Sequence, residues 1–438
     1  MNQTLKASDT AARQQQAASA AGSTPAKDLL QNRDFIIVGQ QPWDTSIGSN
    51  CKNIAAELSK HNRVLYVNAP LDRITAVRDR HDKGTKKRLQ VIRGKQQGME
   101  KVAPNLWVLY PDCMLESINW LPRSPLYTFF NRKNNGRFAA SIKEAARMLG
   151  FSDFILFNDN DILRSFYLKE LLQPALSVYY SRDNMQAVAY WKKHGARHEP
   201  ALMAKSDLCL ANSSYLAACC KRYNPNSFYV GQGCDLDITS SASDIEIPAD
   251  VQMLKSPLIG YVGALVDLRL DIGLLQYISE QRQDWNLVLV GPEDEAFRAS
   301  ALHHQPNVHF LGQKETAQLP AYIHQFDVCL NPQRVNLMTI GNYPRKIDEY
   351  LALGKPVVAT RTEAMDIFAD HTYLATSKED FVRLIDKALA EDSPARQLAR
   401  RQLAATHTWE NSVAEIYKAI LSCSPKEPAQ YKNEPAEA

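Results

Sequence analysis

Short apolar runs that close on glycine, separated by segments of helical period, constrain this chain more than any other feature. Phe35-Ile36-Ile37-Val38 closes on Gly39 and Tyr261-Val262 on Gly263. The runs at 287–290 and 308–311 close on Gly291 and Gly312. After the first run come a polar loop (QQPWDTSIGSN, 40–50), a helical pattern from Cys51 to Lys60, and a second apolar run, RVLYVNAP (63–70). Strand, loop, helix and strand in this order form a βαβ unit, and parallel sheets are built from such units.

The alternation continues. Further strands are expected at 106–110, 154–158, 176–180, 207–211 and 227–230. It lapses over 236–256, where Ser, Asp and Pro accumulate, and then restarts. The second series has strands at 258–264, 285–291 and 308–312, a helix in TAQLPAYIHQ, a strand in FDVCLNP, and a strand in LATS. It ends on an amphipathic helix at 378–391. At 438 residues the chain exceeds the usual size of one domain, so two doubly wound α/β domains are expected. The expected division is a disordered tail (1–30), a first domain (31–235), a linker (236–256), a second domain (257–407) and a disordered tail (424–438).

In open parallel sheets, ligands bind beyond the carboxyl ends of the strands. Glycine there lets backbone N–H groups approach a ligand, although each such glycine also suits a plain turn. The chain has no G-x-G-x-x-G, no G-x-x-x-x-G-K-[ST], no H-E-x-x-H and no G-x-S-x-G. Dinucleotide dehydrogenase, P-loop NTPase, zincin and α/β-hydrolase readings therefore have no support.

Charge and cysteine usage narrow the classes further. A net charge of +3 implies no nucleic-acid partner. The eight cysteines are scattered without C-x-x-C or zinc spacing, which fits reduced thiols and a cytoplasmic location. No apolar run approaches the roughly 18 residues of a spanning helix. Residues 1–27 have no apolar core of a secretory signal.

The stretch PRKIDEYLALGKPVVAT (344–360) concentrates the chemistry. Pro344 suits the first turn of a helix, and Ile340, Gly341, Asn342 and Tyr343 form a loop before it. Free N–H groups and Lys346 then make an anion site suited to a diphosphate. Glu349, about a turn on, could accept hydrogen bonds from sugar hydroxyls. A surface helix with a solvated lysine is the plainer alternative.

This stretch resembles the donor-site signature of GT-B glycosyltransferases of the family 4, or group 1, type. There a proline, a lysine two residues on and a glutamate precede an A-x-G-K-P-V-V-A-T run. Pro344, Lys346, Glu349 and Gly354 to Thr360 fit it. GYVGAL (260–265), LVLVGP (287–292), PNVHFLGQKETAQLPAYI (306–323), KSDLCLANSSYLAA (205–218), VGQGCDLDI (230–238) and THTWENSVAEIYKAIL (406–421) resemble further segments of the family, in order along the chain. The variant that looks most similar occurs in bacterial polysaccharide and teichuronic-acid-type transferases.

The resemblance implies a GT-B architecture: two Rossmann-like domains facing across a cleft, with the terminal helix (408–423) returning to the first domain. It implies a hexosyltransferase-type enzyme that moves a sugar from a UDP- or GDP-sugar to a growing cell-surface polysaccharide or lipid-linked glycan, with retention at the anomeric carbon. No cofactor or metal is required on this reading, although FNDND (157–161) is a weak metal hint. Lys346, Glu349 and Arg269 are the expected catalytic groups. Gly263, Ala264, Gly291, Gly312, Gly341, Asn342 and Tyr343 are expected around the nucleotide sugar.

Two departures stand out. Many relatives place a first carboxylate where this chain has Gly341. Many also carry an R-x-x-x-x-K-G segment where this chain has GALVDLRLDIG, leaving Arg269 as the nearby cation, with Asp267 or Asp271 as its alternative partner.

Acceptor or sugar contacts are expected from strand ends of the first domain. The candidates are Asp44 and Gly48, with Trp43 and Thr45 beside them; Asp159 and Asp161, for which helix capping is the alternative; and Arg182 and Asp183. Residues 72–101 hold ten Lys/Arg against four Asp/Glu, and 121–138 mixes aromatics with cations. Such a surface suits an anionic membrane, so a peripheral contact with the inner face of the plasma membrane is expected, a solvated loop being the alternative. Two further functions share the architecture: a catalytically degenerate scaffold in a polysaccharide-biosynthesis complex, and a nucleotide-sugar epimerase.

Overall fold

The structure, a computed structural model, describes residues 29–45, 49–234 and 246–423. The first domain holds β1 (Asp34–Gly39), β2 (Arg63–Asn68), β3 (Leu71–Asp72), β4 (Met99–Ala103), β5 (Leu106–Leu109), β6 (Met114–Leu115), β7 (Phe154–Asp159), β8 (Leu176–Ser181), β9 (Leu208–Ala211) and β10 (Ser227–Tyr229). Eight of these form one sheet in the order β10-β9-β8-β7-β1-β2-β5-β4, while β3 and β6 pair separately. All neighbours in the sheet run parallel except β4, which lies antiparallel on the β5 edge. The apolar runs explain this: strands covered by helices on both faces need apolar side chains on both. All six residues of β7 and of β8 are buried.

The second domain holds β11 (Leu258–Val262), β12 (Asn286–Val290), β13 (Val308–Gly312), β14 (Val328–Asn331), β15 (Val357–Thr360) and β16 (Tyr373–Ala375). Their order is β13-β12-β11-β14-β15-β16, all parallel. Counted within the domain this is 3-2-1-4-5-6, the doubly wound order whose direction reverses between its first and fourth strands. The corresponding reversal in the first sheet lies between β1 and β7.

The helix Trp409–Cys423 crosses back to the first domain. Val413, Ile416, Tyr417 and Ile420 join the cluster built on Phe35, Cys51, Val64 and Tyr180. The Tyr417 hydroxyl accepts from Asn62 Nδ2 at 2.9 Å. Leu29 and Leu30 also pack against this core, so the chain is ordered before the end of the expected tail. The last part of the expected linker belongs to the second domain: Val251 is buried in its core, and Asp250 pairs with Lys314 at 2.6 Å. Residues 235–245 and the rest of both tails lie outside the described residues.

Sequence reasoning named no helix over 121–138, where the structure has the 25-residue helix Pro125–Leu149. Ser124 caps it by accepting from Tyr127 N, Pro125 begins it, and Gly150 ends it at φ 66°. Tyr127 and Phe138 of that segment are buried, whereas Leu126 and Phe129 are exposed. None of the eight cysteines forms a disulfide.

Candidate functional site

A cavity of about 410 Å³ opens between the domains at the reversal point of the second sheet. Its second-domain wall begins where β11 ends. Gly263 has φ 138° there, and a Cβ at this position would sit 2.9 Å from Lys346 Nζ. The absence of a side chain lets the turn and the lysine approach each other. Gly291 supports the turn from behind: its φ is 151°, and a Cβ would lie 2.0 Å from the Gly263 carbonyl oxygen. Gly263 N donates to Val290 O and Gly291 N donates to Gly312 O, both at 2.9 Å. The three glycine turns are thus stacked, and only the first reaches the cavity, through Ala264.

Lys346 starts the helix Lys346–Ala352 and lines the cavity. Its ammonium donates to the Tyr261 hydroxyl and stands 3.8 Å from the centre of that ring. Burial pulls its pKa down to about 7, opposed by Glu349 and assisted by Arg269. Its hydrogen-bond partner is a phenol and the pull of Glu349 does not offset burial, so a bound anion would stabilise its charged form. Arg269 is exposed and lines the same cavity. Its alternative partners are otherwise engaged: Asp267 pairs with Arg334 at 2.7 Å, and Asp271 accepts from Leu274 N at 3.0 Å.

The rest of the motif divides between the cavity and the core. Tyr343 lines the cavity, while its buried hydroxyl donates to Asp348 Oδ2 at 2.8 Å and meets His407 Nδ1 at 3.2 Å. Asp348 is fully buried and accepts from His407 at 2.7 Å. Burial raises its pKa, and the His407 and Tyr343 contacts counter the rise. The acidic residue next to the lysine therefore ties the helix to the segment before Trp409. Glu349 lies one turn past Lys346 and outside the cavity lining. Gly312 lies outside it as well, whereas Asn342 lines it.

Gly341 has a structural partner. A Cβ there would sit 2.2 Å from Tyr215 Cδ1, and its carbonyl oxygen accepts from Ser213 Oγ at 2.7 Å. Ser213 and Tyr215 belong to the first domain, so the glycine gives a close crossing between domains. Asn184 Nδ2 adds a second crossing by donating to Leu337 O at 2.9 Å.

The first-domain wall comes from strand ends. Arg182 and Asp183, after β8, line the cavity. Arg182 donates to Asp159 Oδ1 at 2.9 Å and to Asp183 Oδ2 at 2.8 Å. Burial opposes its charge, but the two carboxylates hold its pKa above the usual range. Burial raises the pKa of Asp183, with Arg182 and Arg269 opposing, which puts Asp183 within Coulombic reach of the cation across the cleft.

Asp159 is fully buried behind Arg182 and outside the lining. Asp161 follows the capping alternative: its carboxylate accepts from Leu163 N at 3.2 Å and Arg164 N at 3.0 Å, and pairs with Arg164 Nε at 2.8 Å. Asp44 points elsewhere, toward Arg88 at 3.4 Å. Trp43 packs edge-on to Tyr66 at 5.0 Å, and Thr45 O accepts from Lys52. Gly48 lies outside the described residues. Among the described residues no group of three or more His, Cys, Asp or Glu is arranged to hold a metal ion.

Sequence reasoning missed the polar floor. Gln41, Ser49, Asn50, Asn212 and Gln232 line the cavity. Asn50 Nδ2 and Asn212 Nδ2 both donate to Gln232 Oε1, at 2.5 and 3.0 Å. Ser49 Oγ and Asn212 Oδ1 are buried without a hydrogen-bond partner among the described residues. Buried polar atoms normally have partners, so two orphans on one cavity wall mark places for ligand groups. The signal was available: Gln41, Asn212 and Gln232 each stand one to three residues beyond a strand end.

Residues 256–391 match the family model described as Glycosyl transferases group 1. A Bacillus subtilis (strain 168) protein, provisionally assigned as the teichuronic acid biosynthesis glycosyltransferase TuaH, is 26% identical over 199 residues. That match covers 43% of this chain, and the chain spans about half the length of the relative, 49%. Among solved structures, the sucrose-phosphate synthase of Thermosynechococcus elongatus is similar at a TM-score of 0.60, with 15% identity, covering 90% of this chain and 100% of that one. Anabaena HepE in complex with UDP is similar at 0.61, with 14% identity, covering 89% and 100%. At these identities the likeness concerns the fold, which is the GT-B architecture.

Proposed function

We propose that this chain, whose residues 256–391 form a group 1 glycosyl transferase domain, transfers a sugar from a nucleotide-sugar donor to a growing cell-surface polysaccharide or lipid-linked glycan. The observation that carries the reading is one convergence. Lys346, Arg269 and the Gly263 turn meet at the reversal point of the second sheet, facing Arg182 and Asp183 of the other domain. A nucleotide sugar leaves its sugar as a nucleoside diphosphate, and negative charge grows on the diphosphate as the glycosidic bond breaks. Cations and backbone dipoles fixed at that position lower the barrier.

The division of labour follows from the lining. Lys346, Arg269 and the turn at Gly263 and Ala264 hold the diphosphate. Asn342, Asn331 and Gln333 reach the donor from the loop side. Ser49, Asn50, Asn212 and Gln232 hold the acceptor, a hydroxyl compound, because a hydroxyl both donates and accepts and so satisfies both orphaned atoms. Retention at the anomeric carbon is part of this reading as what the family resemblance implies. Arg182 between two carboxylates is charge-compensated and serves to position the floor. The HepE structures hold UDP and UDP-glucose, and a uridine donor is the first choice here.

The test is thermal denaturation with UDP, GDP and NAD. A ligand that binds only the folded state at a hundred times its Kd adds about 2.7 kcal/mol of stability. UDP or GDP is expected to raise Tm by several degrees, and NAD to leave it unchanged. Equal shifts for the intact protein and Lys346→Ala would remove Lys346 from the donor site.

A further inference from the structure

A second cavity, of about 740 Å³, lies wholly within the first domain and shares no residue with the cleft. Its walls come from the helix Arg73–Arg78, the segment 114–120, the helix Pro125–Leu149 and the start of the helix Ala189–Lys205. Leu115, Ile118 and Leu163 give it an apolar part, beside polar lining from Ser117, Asn119, Asn131 and Asn134, and Tyr127 stacks on His194 at 3.6 Å as a wall.

The mouth is unlike the rest of the surface. Ile74, Trp120 and Tyr190 line the cavity and are exposed, Trp120 to 70%, and Val77, Leu126 and Phe129 on the helices that wall it are exposed as well. Large apolar side chains are normally exposed singly, and a contiguous group marks a contact with something apolar. Cations are interleaved with them: Arg73, Arg78, Arg80, Arg123 and Lys193 are exposed.

The acids of this region are already engaged. Asp72 caps its own helix and accepts from Ser117, and Asp82 caps the helix Lys83–Ile92. Glu116 is held well below the usual range, to about 2, by Arg73 and Arg137. Lys83 and Lys86 on the adjacent helix extend the exposed positive surface. Inside the cavity, Asn131 is 3% exposed and its Nδ2 has no acceptor among the described residues. That atom is a buried donor on a wall of the cavity, the position for an oxygen of a bound molecule.

We propose that this cavity takes the apolar chain of an anionic amphiphile, with its mouth resting on an anionic membrane surface. The apolar part takes the chain and the aromatic side chains of the mouth sit at headgroup depth. Arg80, Arg123 and Lys193, which have no ion pair among the described residues, face the headgroup phosphates, and Asn131 meets an oxygen where the chain joins its head. The inference deepens the acceptor side of the function proposed above: a glycan carried on a lipid phosphate would be presented to the cleft from this face.

The experiment uses the full chain with vesicles of phosphatidylglycerol and phosphatidylcholine, and vesicles of phosphatidylcholine alone. Sedimentation with the anionic vesicles is expected to exceed that with the neutral ones at least tenfold and to weaken with salt. Replacing Ile74 and Trp120 together by serine is expected to lower it at least tenfold, with the Tm shift from UDP unchanged.

Brominated acyl chains then locate the contact. They are expected to quench tryptophan emission in the intact chain and in Trp120→Phe, through Trp191. Quenching is expected to vanish in the double variant Trp120→Phe/Trp191→Phe. Absent vesicle binding, or quenching that survives in the double variant, would overturn the proposal. So would binding of a soluble oligosaccharide that protects these tryptophans without vesicles, which would assign the cavity to a glycan. A failure here with UDP stabilisation intact leaves the transferase reading standing, and the reverse result separates the two in the other direction.

Discussion

The two walls of the cleft are built in opposite electrostatic styles. Of the second-domain cations, Lys346 rests against Tyr261, and Arg269 has no ion pair among the described residues. The first domain presents a cation closed off by two acids, Arg182 between Asp159 and Asp183, surrounded by amides. Uncompensated charge near a low-dielectric wall attracts a polyanion. Compensated charge with orphaned hydrogen-bonding atoms selects a neutral polyol. That difference supports the proposed placing of donor and acceptor on the two walls.

Four changes sharpen or break that contrast. The largest effect is expected from Lys346→Ala. Losing one fixed donor to a developing anion typically costs about 10²–10³ in kcat, roughly 2.7–4 kcal/mol. The Tm shift from UDP should vanish with it, while the protein alone is no less stable, because a buried cation is removed. If the variant keeps the shift, the charged wall is not the donor wall.

Gly341→Glu comes next. The new Cβ would clash with the Tyr215 ring, an overpacking that costs about 1–3 kcal/mol and loosens the crossing between walls. Tyr215→Ala in the same chain should restore Tm. A Tm drop that the second change leaves unrepaired would place the strain elsewhere.

pH gives a smaller and continuous effect. Lys346 titrates near 7 in the empty site, and a bound diphosphate stabilises its charged form and raises that value. Binding UDP therefore takes up a proton between the two pKa values. Affinity should be greatest below pH 7 and fall above it, by up to about tenfold per unit, or 1.4 kcal/mol. Calorimetry in buffers of different ionisation enthalpy measures the proton directly. A flat profile from pH 7 to 9 would mean that the lysine is already charged when the site is empty.

The smallest effect is expected from Asn212→Ala on the neutral wall. One hydrogen bond to a ligand hydroxyl is worth about 1 kcal/mol, which is a rise of roughly fivefold in KM for the acceptor. The UDP shift should not change. If it does, the two walls do not divide the substrates as described.

The sequence carried the second domain well. The runs at 258–264, 285–291 and 308–312 became β11, β12 and β13, and Lys346 and Arg269 did meet at one cavity. The proposed donor wall is legible because it is local: one βα turn and one helix start supply it. The first domain was less legible. Its cavity floor comes from residues after β1, β9 and β10, which are brought together by sheet order that no local pattern encodes. Asp159 and Asp161 looked like cleft residues because they follow β7, yet one anchors Arg182 and the other caps a turn. A strand end tells where a side chain starts, and its hydrogen-bond partners decide where it points.

By itself, then, the sequence determined two parallel sheets, the glycine turn at Gly263 and the helix that begins at Lys346. Those depend on apolar periodicity and on backbone conformations few residues allow. Only the tertiary structure decided that the Tyr343 hydroxyl and Asp348 meet at His407. It alone showed that Gly341 makes room for Tyr215, and that a second cavity opens beside Trp120. Each of those turns on contacts between residues dozens to more than a hundred positions apart, where packing and buried hydrogen bonds outweigh anything a local pattern can encode.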